Sequence, residues 1–165
     1  MRFLVAAAAA VFVFGATVAA AQPPPLIPRT VLFGDAQQDA PQISPDGTRL
    51  AYLKPSPEGV QTVWVRTVGA PDDVIVTRDA AQGIYVYAWA WDGKHILYFQ
   101  DRQGDENLHL WAADLTSTAV RDLTPFAGAR AQNLLTSAAN PTEILVGLNG
   151  RDPRVFDMYR VNLET

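Results

Sequence analysis

Tyr85-Val86-Tyr87-Ala88-Trp89-Ala90-Trp91-Asp92-Gly93-Lys94-His95-Ile96-Leu97-Tyr98-Phe99-Gln100 is the stretch that decides the fold. Two apolar, aromatic-rich runs flank a short loop containing Asp92-Gly93. Asp and Gly tolerate the backbone angles of a tight turn, so the stretch reads as a β-hairpin. Two further runs follow, Asn107 to Leu115 and Arg121-Asp122-Leu123-Thr124, which makes four candidate strands in about forty residues.

Working outward, the upstream sequence repeats this unit. Ile43-Ser44-Pro45-Asp46-Gly47-Thr48-Arg49-Leu50-Ala51-Tyr52 places a Pro-Asp-Gly turn before an alternating run. Arg49 to Lys54, Gln61 to Val68 and Asp73 to Thr77 are the strands that follow, with a second turn at Pro55-Ser56-Pro57-Glu58-Gly59. Asp46 precedes Asp92 by 46 and Tyr52 precedes Tyr98 by 46, while Trp64 precedes Trp111 by 47 and Thr77 precedes Thr124 by 47. A fainter third copy puts its turn at Asn140-Pro141-Thr142-Glu143. Its strands are Ile144 to Leu148 and Met158 to Leu163, with Tyr159 lying 48 after Trp111. Short strands recurring at this period are the arithmetic of a β-propeller blade. The expected fold is all-β: an incomplete β-propeller of about two and three-quarter four-stranded antiparallel blades, at about 41–80, 84–126 and 130–165. Trp91-Asp92 is not a WD-type signature, because it sits at the first turn and not late in the repeat. The third unit lacks a fourth strand, and closed propellers take about four to eight blades. The sequence therefore reads as the N-terminal part of a longer protein or a truncated frame.

Composition narrows the function classes. The 165 residues carry a net charge of −4 and no basic stripe, which gives no footprint for nucleic acid. There is no Cys, which removes disulfides and thiolate metal sites. Met1-Arg2, an uncharged run from Phe3 to Ala21, and small residues ahead of Gln22 form a secretory signal-peptide pattern over residues 1–21. Pro23-Pro24-Pro25 follows as an extended spacer, and residues 22–40 read as a Pro-rich linker plus a lead-in strand at Thr30-Val31-Leu32-Phe33. The expected location is periplasmic or secreted, with no membrane association after cleavage.

Three segments carry a family resemblance over about Ile27 to Thr165. The Ser44-Pro45-Asp46-Gly47 turn resembles the repeat of TolB-like propellers. Gly104-Asp105-Glu106-Asn107-Leu108-His109-Leu110-Trp111 and Asp122-Leu123-Thr124-Pro125-Phe126 are similar to the second blade of exported prolyl oligopeptidase family serine peptidases, of the dipeptidyl aminopeptidase or acylaminoacyl-peptidase type. The resemblance implies a propeller capping a C-terminal α/β-hydrolase domain, absent here, and restricting its active site to peptide substrates.

The residues themselves carry no hydrolase machinery. No Gly-x-Ser-x-Gly elbow occurs, and the serines after residue 22 are Ser44, Ser56, Ser117 and Ser137. His95 and His109 both lie in strand runs without a partner serine in sight, and read as structural. No catalytic residue, metal site or cofactor is expected. Asp101, Asp105 and Glu106 form the densest acidic cluster. Asp105, Glu106 and Asn107 are the candidate substrate-binding residues, since paired carboxylates can hold an ammonium group; the competing reading is a solvated hairpin loop. Trp89, Trp91 and Trp111 read as blade-packing aromatics. The leading function is a non-catalytic propeller that gates and orients peptides for a hydrolase domain. The alternatives are a TolB-like periplasmic propeller acting as a protein-binding module, and a nonfunctional truncated product.

Overall fold

The computed structural model describes residues 26–33, 37–77 and 81–165. The signal-peptide and polyproline readings lie outside these residues. The chain divides into two units, Met1–Asp35 and Ala36–Thr165.

In the first unit, Arg29–Phe33 forms a five-residue helix, α1, where a lead-in strand was expected. Pro28 supplies its carbonyl to the N–H groups of Val31 at 2.9 Å and Leu32 at 3.3 Å. The strand preference of Thr30 and Val31 is expressed only where a neighbouring strand offers pairing and a surface to pack on.

The second unit is three antiparallel sheets. The first runs in the order β1 (Asp39–Ile43), β2 (Arg49–Pro55), β3 (Gln61–Thr67), β4 (Val74–Ile75). The second repeats it as β5 (Tyr87–Trp89), β6 (His95–Gln100), β7 (His109–Asp114), β8 (Val120–Asp122). The third has three strands, β9 (Ala131–Ser137), β10 (Asn140–Asp152) and β11 (Val155–Asn162), with β10 in the middle. This is an incomplete propeller. One detail differs from the expectation. Asn140 to Glu143 lies inside β10, and the turn falls at Ala138-Ala139. Two alanines carry no turn signature, whereas Asn140-Pro141 does, and Pro141, the second residue of β10, falls in a register irregularity between Asn140 and Ile144 where no ladder N–H is required of it.

The repeat is literal in the hydrogen bonds. Val68, Leu115 and Leu163 donate to the carbonyls of Thr48, Lys94 and Thr142, each at 2.9 Å, closing the same hairpin in each sheet. The sheets pack face to face because side chains alternate along a strand. Ile96 and Tyr98 join Ala51, Leu53, Val63 and Val65 in the core between the first two sheets. Leu97, between them in sequence, joins Leu110, Ile144, Val146 and Leu148 in the core between the second and third. Fully burying an aliphatic side chain of this kind is worth about 1.5–3 kcal/mol, so each inter-sheet layer is a major stabilising term. A one-residue slip in β6 would exchange the two cores.

The innermost strands are tied together as well. The Trp89 indole N–H donates to Gln42 O at 3.1 Å, and the Gln42 amide donates to Tyr87 O at 3.0 Å. Arg49 crosses from the first sheet to the second, donating to Gly93 O at 2.7 Å with its guanidinium 5.7 Å from the Trp89 ring.

Candidate functional site

The acidic loop joins β6 to β7 at one end of the second sheet. It folds tightly, with positive φ at Gln103 (59°), Gly104 (81°) and Glu106 (60°). Two of its three carboxylates hold the loop itself. Asp101 accepts the Glu106 N–H at 3.2 Å. Asp105 accepts the N–H groups of Asn107 at 3.1 Å and Arg102 at 3.3 Å, and the Asn107 amide at 3.4 Å. Desolvation opposes the charged form of Asp105, but these donors outweigh it and hold its carboxyl below the usual carboxylate range. Glu106 is exposed, and its carboxylate has no hydrogen bond or ion pair among the described residues. Of Asp105, Glu106 and Asn107, only Glu106 has a side chain without an internal partner among the described residues; Asp105 and Asn107 bond to each other.

A polar network, exposed at Arg102 and buried at His109, fixes the loop to the sheet. Arg102 reaches the Asp122 carboxylate on β8 at 2.6 Å, with its guanidinium 5.6 Å from the Trp111 ring. The same Asp122 oxygen meets His109 Nδ1 at 2.8 Å, and its other oxygen accepts the Thr124 N–H at 2.8 Å. His109 is buried. Sequence reasoning singled out neither Arg102 nor Asp122. A signal existed: by the 47-residue offset the first blade has Thr62 and Ile75 where the second has His109 and Asp122, so the second departs from the repeat in two coupled places.

The remaining candidates are structural. His95 Nδ1 lies 2.6 Å from Asp92, within the hairpin turn. Ser44 donates to Asp46 at 2.6 Å and Ser117 to Asp114 at 2.9 Å, while Ser56 and Ser137 accept the N–H groups of Glu58 and Ala139. Each serine is thus spent on its own turn, and no nucleophile–base pair forms among the described residues. Trp89 is buried, and the indole N–H groups of Trp64 and Trp111 donate to Lys54 O at 3.0 Å and Gln100 O at 3.2 Å. Trp91 departs from the expectation: it is 44% exposed at the turn and packs in neither core. The residue occupies the position of Pro45 in the first turn, outside the strand alternation. Among the described residues no three or more His, Cys, Asp or Glu converge as a metal site, and no helix is long and apolar enough to cross a membrane.

Three face-packed antiparallel sheets on one repeat define a β-propeller portion. No family model matches the chain. Dipeptidyl aminopeptidase BIII of Pseudoxanthomonas mexicana is 41% identical over 139 residues, covering 84% of this chain and 20% of that protein. Dipeptidyl peptidase family member 6 of Caenorhabditis elegans is 29% identical over 149 residues, covering 85% of this chain and 20% of that protein. The chain's homologues are thus dipeptidyl aminopeptidase and peptidase proteins, and it spans about a fifth of their length. Among solved structures, a TolB from Agrobacterium tumefaciens superposes with a TM-score of 0.56 at 20% identity, covering 74% of this chain and 41% of that one. Prolyl oligopeptidase and acylaminoacyl peptidase chains are further neighbours. At such identities these structures speak for the propeller fold alone.

Proposed function

We propose that this chain is the non-catalytic propeller portion of a periplasmic or secreted prolyl-oligopeptidase-like serine peptidase. In this reading residues 1–21 direct export, and three blades at about 41–80, 84–126 and 130–165 form part of a cap that gates and orients peptides for a C-terminal α/β-hydrolase domain. The observation that carries it is the 41% identity to a dipeptidyl aminopeptidase over 84% of the chain. Ser44, Ser56, Ser117 and Ser137 are engaged within their own turns, and His95 and His109 are hydrogen-bonded to Asp92 and Asp122.

Within that reading the loop of Asp105, Glu106 and Asn107 recognises the free amino group of a peptide. Glu106 supplies the open carboxylate, and Asp101 and Asp105 hold the loop in shape around it. A charge-assisted hydrogen bond of this kind contributes about 1.5–3 kcal/mol. In the peptidase that contains this sequence, Glu106→Gln should raise KM for dipeptidyl amides about tenfold or more and leave kcat near wild type, since the contact is made equally in ground and transition states. N-acetylated substrates, which lack the ammonium, should not sense the change. An unaltered KM for free-amine substrates would refute the role of the loop and leave the peptidase reading standing. The TolB likeness supports a second reading, a protein-binding propeller, through fold alone.

A further inference from the structure

Between the second and third sheets a guanidinium ties one sheet to the next. Arg121 of β8 donates to Leu163 O at 2.6 Å and to Asn162 O at 3.5 Å, at the end of β11. The repeat identifies the residues at the same places between the first and second sheets. Val74 lies opposite Val65 as Arg121 lies opposite Ala112, so Val74 holds the position of Arg121. Asp114 and Leu115 hold the positions of Asn162 and Leu163. Leu115 and Leu163 close the same hairpin with their N–H groups, and the side chains of Asp114 and Asn162 accept the N–H two residues on, at 2.6 and 2.8 Å. The first gap thus has the accepting half of the tie and Val74 where the cation stands in the second.

A cleft of about 530 Å³ lies there, lined by Val65, Thr67, Asp72, Val74, Asp114 and Leu115 among others. Both sheets that wall it have all four strands. Val74 is 56% exposed, and Leu115 O accepts no hydrogen bond among the described residues. The second gap has Ala119 and Asn162 at the positions of Asp72 and Asp114, so the first carries two carboxylates where it lacks a guanidinium. Neutral donors of their own turns orient both: the Thr67 N–H and hydroxyl meet Asp72 at 2.9 and 2.7 Å, and the Ser117 hydroxyl meets Asp114 at 2.9 Å. Such donors favour the charged form and leave its charge in place. The cations at the margin turn elsewhere. Arg49 donates to Gly93 O at 2.7 Å beside the Trp89 ring. The Arg66 guanidinium lies 5.9 Å from the Tyr52 ring, on the face of β3 opposite Val65.

We propose that the cleft between the first and second sheets binds the guanidinium group of an arginine side chain presented by a peptide. The guanidinium donates to Leu115 O, as Arg121 donates to Leu163 O, and Asp72 and Asp114 supply the counter-charge. The methylene stem lies along Val65 and Val74, since a long cationic side chain covers apolar surface while its head stays polar. The cleft is larger than a bare guanidinium and has room for that stem. A planar fork serves a carbonyl and carboxylates together, which the compact ammonium of lysine does less well. This site rests on the repeat and is independent of the acidic loop and of the peptidase reading.

The test is titration of the isotope-labelled full chain with acetylated, amidated Gly-Arg-Gly, read by amide chemical shifts. Saturable shifts confined to residues 65–76 and 114–118 are expected at millimolar peptide. Citrulline in place of arginine keeps the shape and removes the charge, and should weaken binding about tenfold or more. Methylguanidinium, which lacks the stem and the peptide, should bind about tenfold more weakly than the peptide. Asp72→Asn should weaken peptide binding about threefold. Val74→Arg supplies the cation from within the chain, as Arg121 does in the next gap, and should abolish peptide binding and raise the melting temperature, with the remaining amide spectrum in place. Arg121→Ala should lower the melting temperature and open a second site, adding peptide-induced shifts at Asn162 and Leu163. Absence of saturable shifts, equal binding of the arginine and citrulline peptides, or undiminished binding to both Val74→Arg and Asp72→Asn overturns the proposal. Equal binding of methylguanidinium and the peptide overturns the assignment to a peptide.

Discussion

Thr124→Val isolates a side-chain hydrogen bond that both complete blades use. Val nearly matches Thr in shape, so the substitution leaves packing in place and removes one oxygen. Thr124 is fully buried, and its hydroxyl is the acceptor for the Leu110 N–H at 2.9 Å, in the middle of the second sheet. Without it that N–H is buried and unsatisfied, which costs about 1–3 kcal/mol. For a folded unit of this size the melting temperature falls about 4 °C for each kcal/mol, so a drop of about 4–12 °C is expected. Thr124→Ser keeps the oxygen and loses a buried methyl, worth about 0.8 kcal/mol. The order of stability is wild type, then Ser, then Val. Thr77→Val should cost as much as Thr124→Val, since Thr77 makes the same bond from an equally buried site. Urea unfolding followed by tryptophan fluorescence measures all four proteins, with an unchanged m-value confirming that the folded surface is preserved. A Val variant as stable as the Ser variant would refute the reasoning, because it would mean the hydroxyl is not what the strand requires.

Other outcomes follow from the same geometry. The Asp46 and Asp114 carboxyls are lowered to about 2 from 3.8, the first chiefly by the Ser44 hydroxyl and the second by the Thr116 N–H. A depressed carboxylate stabilises the fold above its unfolded value, and the contribution is lost as pH falls from about 4 through about 2. The urea midpoint should therefore fall over that window, and fall less in an Asp46→Asn/Asp114→Asn variant; parallel slopes would contradict this. Asp122→Ala strips His109, Arg102 and the Thr124 N–H of their shared partner and should cost about 1–3 kcal/mol in the same assay, the penalty of a buried donor left unsatisfied. It should also open the Asp101 to Asn107 loop to cleavage by a glutamate-specific protease at Glu106, while cutting at Glu58 stays unchanged.

The blade register was legible because the aromatic pairs that mark it, Tyr52 with Trp64 and Tyr98 with Trp111, are direct cross-strand neighbours, so their sequence spacing transmits the hairpin geometry. The third hairpin was misplaced because Asn140-Pro141 carries a stronger turn signature than Ala138-Ala139, where the chain reverses. The helix at Arg29–Phe33 was hidden by β-branched residues that find no strand to pair with among the described residues. At the candidate site the acidic residues were legible as a cluster, but not the division of labour that leaves Glu106 alone unengaged. Nor was the Arg102–Asp122–His109 network, whose members lie 20 and 13 positions apart and meet only across β7 and β8.

The chain is a propeller portion, and the proposed division of labour puts the catalytic groups of the peptidase in another domain. Purified chain whose near-ultraviolet circular dichroism shows its tryptophans in fixed surroundings should be incubated with aminoacyl and dipeptidyl chromogenic amides and with a serine-directed fluorophosphonate. The account predicts hydrolysis at the rate of buffer and no labelled serine. Turnover that the fluorophosphonate abolishes, with label on Ser44, Ser56, Ser117 or Ser137, would contradict it.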